Sequence, residues 1–225
     1  ESDSSVRLIM LRGAGKHFSA GADVNWFKEL AESSSDVQLA AARLSTGTMR
    51  ALDNCLKPTI ALIHNACFGG GTGYAAACDI VVASNDARFA ITEVRVGITP
   101  APILAQLVKS IGVCQVRRYA LTAEPFDAVQ AKAIGLVHEI CPVGGLDNAV
   151  KPIVDALIRG APTAIRDTKK LIHEVGDNPM SDDLAEKLAK ISAAGRGTAE
   201  GIEGFSAFLA KRAPSWFQNG LPLIY

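Results

Sequence analysis

The chain has 225 residues, 48% of them hydrophobic, which is enough to bury a full core in one large domain or in one domain with an appendage. Lysine plus arginine number 23 and aspartate plus glutamate also number 23. The formal charge of zero removes the electrostatic argument for a nucleic-acid surface. Five cysteines (Cys55, Cys67, Cys78, Cys114 and Cys141) are scattered without CxxC spacing. Their odd count argues against a disulfide framework and for a reducing, cytoplasmic setting. Four dispersed histidines suggest no metal site. No stretch reaches the ~18 apolar residues of a membrane span, and no signal peptide is visible.

In chain order, "VRLIMLRG" (6–13) reads as a buried strand that ends at glycine. "AGADVNWFKELAE" then enters a helix with Asp23 or Asn25 as its cap, and a longer helix is expected from about Asp36 to Leu52. Pro58 breaks the chain, "TIALIH" and "DIVVAS" read as further strands, and "ARFAIT" as a fourth. Strands alternating with helices imply an α/β core with largely parallel strands. From Pro102 onward the segments are helical and close on glycine or proline, interrupted by one short strand, "LVHEI". The expected division is therefore 1–101, an α/β core, and 102–225, a mainly helical region whose apolar helices pack against another subunit.

"HNACFGGGTGYAAACDI" (64–80) puts glycines 69, 70, 71 and 73 at a strand-to-helix corner. "GTGYAA" loosely matches a dinucleotide fingerprint through Gly71, Gly73 and Ala76, but the helix before "DIVVAS" is too short for a dinucleotide crossover. No P-loop string and no GxSxG elbow is present. Two readings stay open on spacing alone: a tight packing corner, or a site where a carbonyl oxygen reaches bare backbone N–H groups at a helix start. "GKHFSAGADV" (15–24) has the same design, so each corner offers one N–H donor to a single oxygen. Short runs such as "RRY" (117–119) and "KK" (169–170) read as solvated faces. Trp26 reads equally as a wall of an acyl pocket or as packing.

The strings "HFSAGAD", "ACFGGGTGYAAACDIVVAS", "FAITEVRVGITP", "AKAIGLVHEI" and "FSAFLAKRAP", in this order and spread over nearly the whole chain, resemble the crotonase family, the enoyl-CoA hydratases/isomerases. The family's opening strands, some 30 residues by its usual length, are not in this sequence. The resemblance implies a crotonase-like ββα spiral core with a helical C-terminal trimerisation region, and a homotrimer or hexamer. It implies an acyl-CoA substrate, with coenzyme A part of that substrate and no separate cofactor. It matches Ala22 and Gly70 to the two amides that hold the thioester oxygen. Ala20, Asp23 and Val24 match the adenine and pantetheine path, with Gly71 and Gly73 beside them at the glycine corner. Lys211 matches a basic residue that meets the CoA phosphates.

Glu93 in "TEVRVG" matches one of two catalytic carboxylates; read alone, it is a surface glutamate or a cap. The second carboxylate would stand at Gly73. "VGITPAPI", together with that glycine, resembles the methylglutaconyl-CoA hydratase-like branch, whose substrates carry a distal carboxylate. Arg95 is then a partner for that carboxylate, with a plain surface arginine the equal alternative. The expected activity is hydration of a branched or carboxylated enoyl-CoA of methylglutaconyl or isohexenylglutaconyl type. The alternatives are an enoyl-CoA isomerase, a decarboxylase using the same oxyanion hole, or a catalytically silent binding member.

Overall fold

The computed structural model describes residues 2–217. In chain order it contains β1 (Ile9–Arg12), α1 (Val24–Ala31), α2 (Ser35–Asp53), β2 (Thr59–Ile63), β3 (Ala66–Phe68), α3 (Gly70–Ala77), β4 (Ile80–Ser84) and β5 (Arg88–Ala90). Two 3-10 turns follow, Glu93–Val96 and Ala101–Ile103. Then come α4 (Leu104–Thr122), β6 (Phe126–Asp127), α5 (Ala128–Ala133), β7 (Glu139–Cys141), α6 (Leu146–Arg159), α7 (Pro162–Asp177), α8 (Asp182–Gly195) and α9 (Ala199–Leu209).

Two small sheets organise the first part of the chain. One has the order β1-β2-β4-β7 and is parallel throughout. All five residues of β2 are buried, as expected for an apolar run covered on both faces. The other has the order β3-β5-β6, with β3 and β5 parallel and β6 antiparallel to β5. The chain runs from the first sheet into the second twice, from β2 into β3 and from β4 into β5, so consecutive strand pairs repeat side by side. Ile63, Cys67, Phe89, Ile91, Leu107 and Tyr119 are among the buried residues of the core between these elements.

The strand and helix signals fall close to where the sequence puts them. The helix expected over 36–52 spans Ser35–Asp53, and the strand expected in "LVHEI" lies at Glu139–Cys141. The helical segments expected on either side of Gly112 run on as α4, but Gly112 itself stands at φ 74° and ψ 158° and interrupts the helix. Asp23 is the cap of α1, its carboxylate accepting from the N–H groups of Asn25 (2.9 Å) and Trp26 (3.3 Å).

The chain divides into two compact units. One joins residues 2–8, Leu56–Pro58 and residues 153–217; the other comprises Ile9–Cys55 and Thr59–Pro152. The composition does turn helical after residue 101, yet α4, packed on α3, and α5, packed on β5, β6 and β7, belong to the same unit as the sheets. In the first unit Arg7 donates to the carbonyls of Gly160 (2.7 Å) and Trp216 (3.3 Å). The Glu200 carboxylate accepts from the first N–H groups of α7, Thr163 (2.9 Å) and Ala164 (3.0 Å). No described helix is long and apolar enough to cross a membrane, and the described residues hold no metal-type cluster of His, Cys, Asp and Glu.

Candidate active site

Three chain segments come to the same level beside one another. Cys67 in β3 pairs with Phe89 in β5, and on its other side forms an isolated parallel bridge with Ser19. Ser19, Cys67 and Phe89 are thus rungs of one parallel ladder, with strands about 4.8 Å apart. Following each strand forward leads to Ala22, to Gly70 and to Glu93. Parallel strands aim their C-terminal ends the same way, so the expected oxyanion donors and the expected acid project from one edge.

The second corner closes tightly onto this edge. The Gly69 N–H donates to the Ala90 carbonyl (2.9 Å), and the Thr72 N–H donates back to Gly69 O (2.9 Å). The buried Thr72 hydroxyl bonds the carbonyls of Cys67 (2.8 Å) and Ala90 (3.2 Å), fastening the start of α3 to the ends of β3 and β5. Gly69 stands at φ 54°, where a side chain is strained. A Cβ added there would lie 3.2 Å from Glu93 Oε1 and 3.4 Å from Thr92 Oγ1. The carboxyl group of Glu93 therefore lies against the residue that precedes Gly70.

The four glycines have different reasons. Gly70 opens α3, so its N–H has no intrahelical acceptor, and nothing lies within 4 Å of an added Cβ. Gly71 and Gly73 are buried. An added Cβ on Gly71 would meet the Ser19 side chain at 2.5 Å, and one on Gly73 would meet Ile103 Cγ2 at 2.1 Å and Met49 Cε at 3.4 Å. Packing thus explains the glycines at 71 and 73, which the resemblance grouped with the substrate-binding positions, while the position after Gly69 leaves bare backbone open.

Glu93 is half-buried at the start of its 3-10 turn, and its Oε2 is buried without a hydrogen-bond partner. Burial pushes its carboxyl above the ordinary value, against a smaller opposing pull from the backbone N–H groups of Glu93 and Thr92. An acid held toward neutrality suits proton transfer near physiological pH. Arg95 follows two residues later and is exposed.

At the first corner Gly21 has φ 106°, and Ala20, Ala22, Asp23 and Val24 are all exposed. Trp26 and Phe27 stack at 5.4 Å on the exposed α1. Lys211 belongs to the other compact unit. It is exposed, at φ 51°, in the turn after α9. That turn is pinned by Glu203, which takes two bonds from Arg212 (2.7 and 2.8 Å) and one from the Ser215 N–H (2.7 Å). These bonds hold the Glu203 carboxyl at about 2.

Sequence reasoning passed over Thr72 and Ile103, and took Met49 only as part of the apolar stripe of α2, without its place against Gly73. A threonine inside a glycine run was the one available signal for Thr72. Nothing local marks that place for Met49 or Ile103, since each acts by filling space against a glycine distant in sequence.

The sequence model of the enoyl-CoA hydratase/isomerase family matches residues 1–219. The chain is 34% identical over 224 residues to the short-chain-enoyl-CoA hydratase of Clostridium acetobutylicum, covering 97% of this chain and 83% of the relative. It is 30% identical over 224 residues to the mitochondrial Delta(3,5)-Delta(2,4)-dienoyl-CoA isomerase of Dictyostelium discoideum, covering 95% and 76%. The crystal structure of an enoyl-CoA hydratase from Shewanella pealeana superposes with a TM-score of 0.91 at 35% identity, covering 96% of this chain and 80% of that one. The chain belongs to the enoyl-CoA hydratase/isomerase family and has the crotonase fold.

Proposed function

We propose that this protein adds water across the double bond of an α,β-unsaturated CoA thioester. The amides of Ala22 and Gly70 hold the thioester oxygen, and Glu93 moves the proton. The observation that carries this reading is the contact of the Glu93 carboxyl with Gly69, one residue before an open N–H at a helix start. Attack at the β carbon places negative charge on the thioester oxygen. Fixed amides at a helix N-terminus stabilise that charge where it develops. Coenzyme A enters as part of the substrate, and Lys211 is proposed to meet its phosphates.

Glu93 acts alone in this scheme. At Gly73, where a second carboxylate would stand, Ile103 fills the space and is only 2% exposed. One carboxyl then serves as base toward water and as acid toward the α carbon. The substrate is proposed to be branched or carboxylated, of methylglutaconyl or isohexenylglutaconyl type, with Arg95 meeting the distal carboxylate. The same single acid also suits an isomerase that shuttles one proton, the activity named for the Dictyostelium relative.

A panel of enoyl-CoA thioesters assayed with wild type and Glu93→Gln tests the reading. Hydration that falls at least about a hundredfold in the variant is expected. Full turnover in the variant removes Glu93 from the chemistry. Double-bond migration without water uptake, followed in deuterated water, selects the isomerase.

A further inference from the structure

Ser19 stands where the two glycine corners meet. Its N–H donates to the Ala66 carbonyl (3.0 Å) and its carbonyl accepts from the Phe68 N–H (3.0 Å), so its backbone is a one-residue strand beside β3. Its side chain makes two further contacts. Ser19 Oγ accepts from the Gly21 N–H at 3.4 Å, on the stretch that leads to Ala22. The same side chain also occupies the space over Gly71, where an added Cβ would sit 2.5 Å from Ser19 Cβ and 2.8 Å from Oγ. One small side chain thus touches the residue before Ala22 and the residue after Gly70. Gly21 stands at φ 106°, so the aim of the peptide that follows depends on how this turn is held.

We infer that Ser19 is a positioning residue whose side chain sets the separation and aim of the Ala22 and Gly70 amides. This rests on the oxyanion role proposed for those amides. Larger side chains at 19 would collide with the start of α3, and a residue without an acceptor would leave the Gly21 N–H unheld. Amide aim matters most when charge has developed on the thioester oxygen. A disturbed aim therefore lowers kcat more than it weakens substrate binding.

The test compares wild type with Ser19→Ala, which keeps the Cβ against Gly71 and removes only the acceptor. Ser19→Cys is the second variant, keeping the bulk with a weak acceptor. Four quantities are read: kcat and KM on the enoyl-CoA that wild type turns over fastest, the carbonyl stretching band of bound butanoyl-CoA, and the Tm. In wild type the band should move to lower frequency on binding. In both variants kcat should fall about tenfold, KM should stay within about twofold, and the band shift should shrink by about half, with Tm nearly unchanged. Unchanged kcat and an unchanged band in both variants overturn the role of Ser19 and leave the oxyanion reading standing. A wild-type band that does not move overturns that reading and this inference with it.

Discussion

Glu93 is the residue whose chemistry depends most on its surroundings. Its folded carboxyl titrates above the ordinary value because burial disfavours the anion. The protonated form therefore stabilises the fold. That contribution is full below the unfolded value near 4.5 and is lost as pH rises through the higher folded value. Glu93→Gln, which cannot ionise, should match wild type in urea midpoint at pH 4 and exceed it at pH 8. A midpoint difference independent of pH would contradict the burial argument. Gly73 gives a second prediction. A Cβ there lands 2.1 Å from Ile103 Cγ2, so Gly73→Ala should destabilise by about 1–3 kcal/mol in urea unfolding. The glycine corner was legible from local spacing, whereas Glu93 stood out only through the family resemblance, since read alone it passes for a surface glutamate or a cap. The partnerships of Gly73 with Ile103 and of Gly71 with Ser19 were not, since each joins segments that only the fold brings together.

At the level of elements, the candidate site lies at the ends of parallel strands, to which the start of α3 is tied by the Gly69 N–H and the Thr72 hydroxyl. Thr72 Oγ1 satisfies two carbonyls in a buried place. Thr72→Val keeps the shape and removes the hydroxyl donor that Cys67 O and Ala90 O share, while Ala90 O keeps the Gly69 N–H. A loss of about 1–3 kcal/mol in thermal or urea unfolding is expected, with reduced turnover because the Gly70 amide loses its anchor. Most elements were readable in advance. The buried β2 declares itself by its apolar run, and α2 by its stripe. The short strands β3 and β6 were missed because two or three residues carry no period, and their pairing depends on partners from elsewhere in the chain. At Gly112 the stop signal was legible: the residue leaves the helical region, at φ 74° and ψ 158°, between two helical runs.

Over the whole molecule, the sequence divides by composition near residue 101, while the compact units divide inside α6 at Pro152. Periodicity reports the type of element and says nothing of what it leans against, so α4 and α5 could not be assigned to the sheets from sequence. On α9, Phe208 and Leu209 are 82% and 81% exposed, with Ile202 and Phe205 also bare. Isolated apolar side chains are common on surfaces, but four on one short helix form a patch. The assembly proposed for this chain is a trimer or hexamer, and light scattering on the eluting species should give three or six copies. Phe208→Asp should shift that distribution toward fewer copies if α9 lies in the contact.

The common ladder level of Ser19, Cys67 and Phe89 works as a ruler. Each of the proposed site residues, Ala22, Gly70 and Glu93, stands a fixed number of peptide units past its mark, so the proposed role fixes chain length there. One residue inserted between 19 and 22, 67 and 70, or 89 and 93 would carry its group past the other two. The exposed junction between α1 and α2 lies off the ruler. A change of length there leaves the spacing of the three marks unaltered.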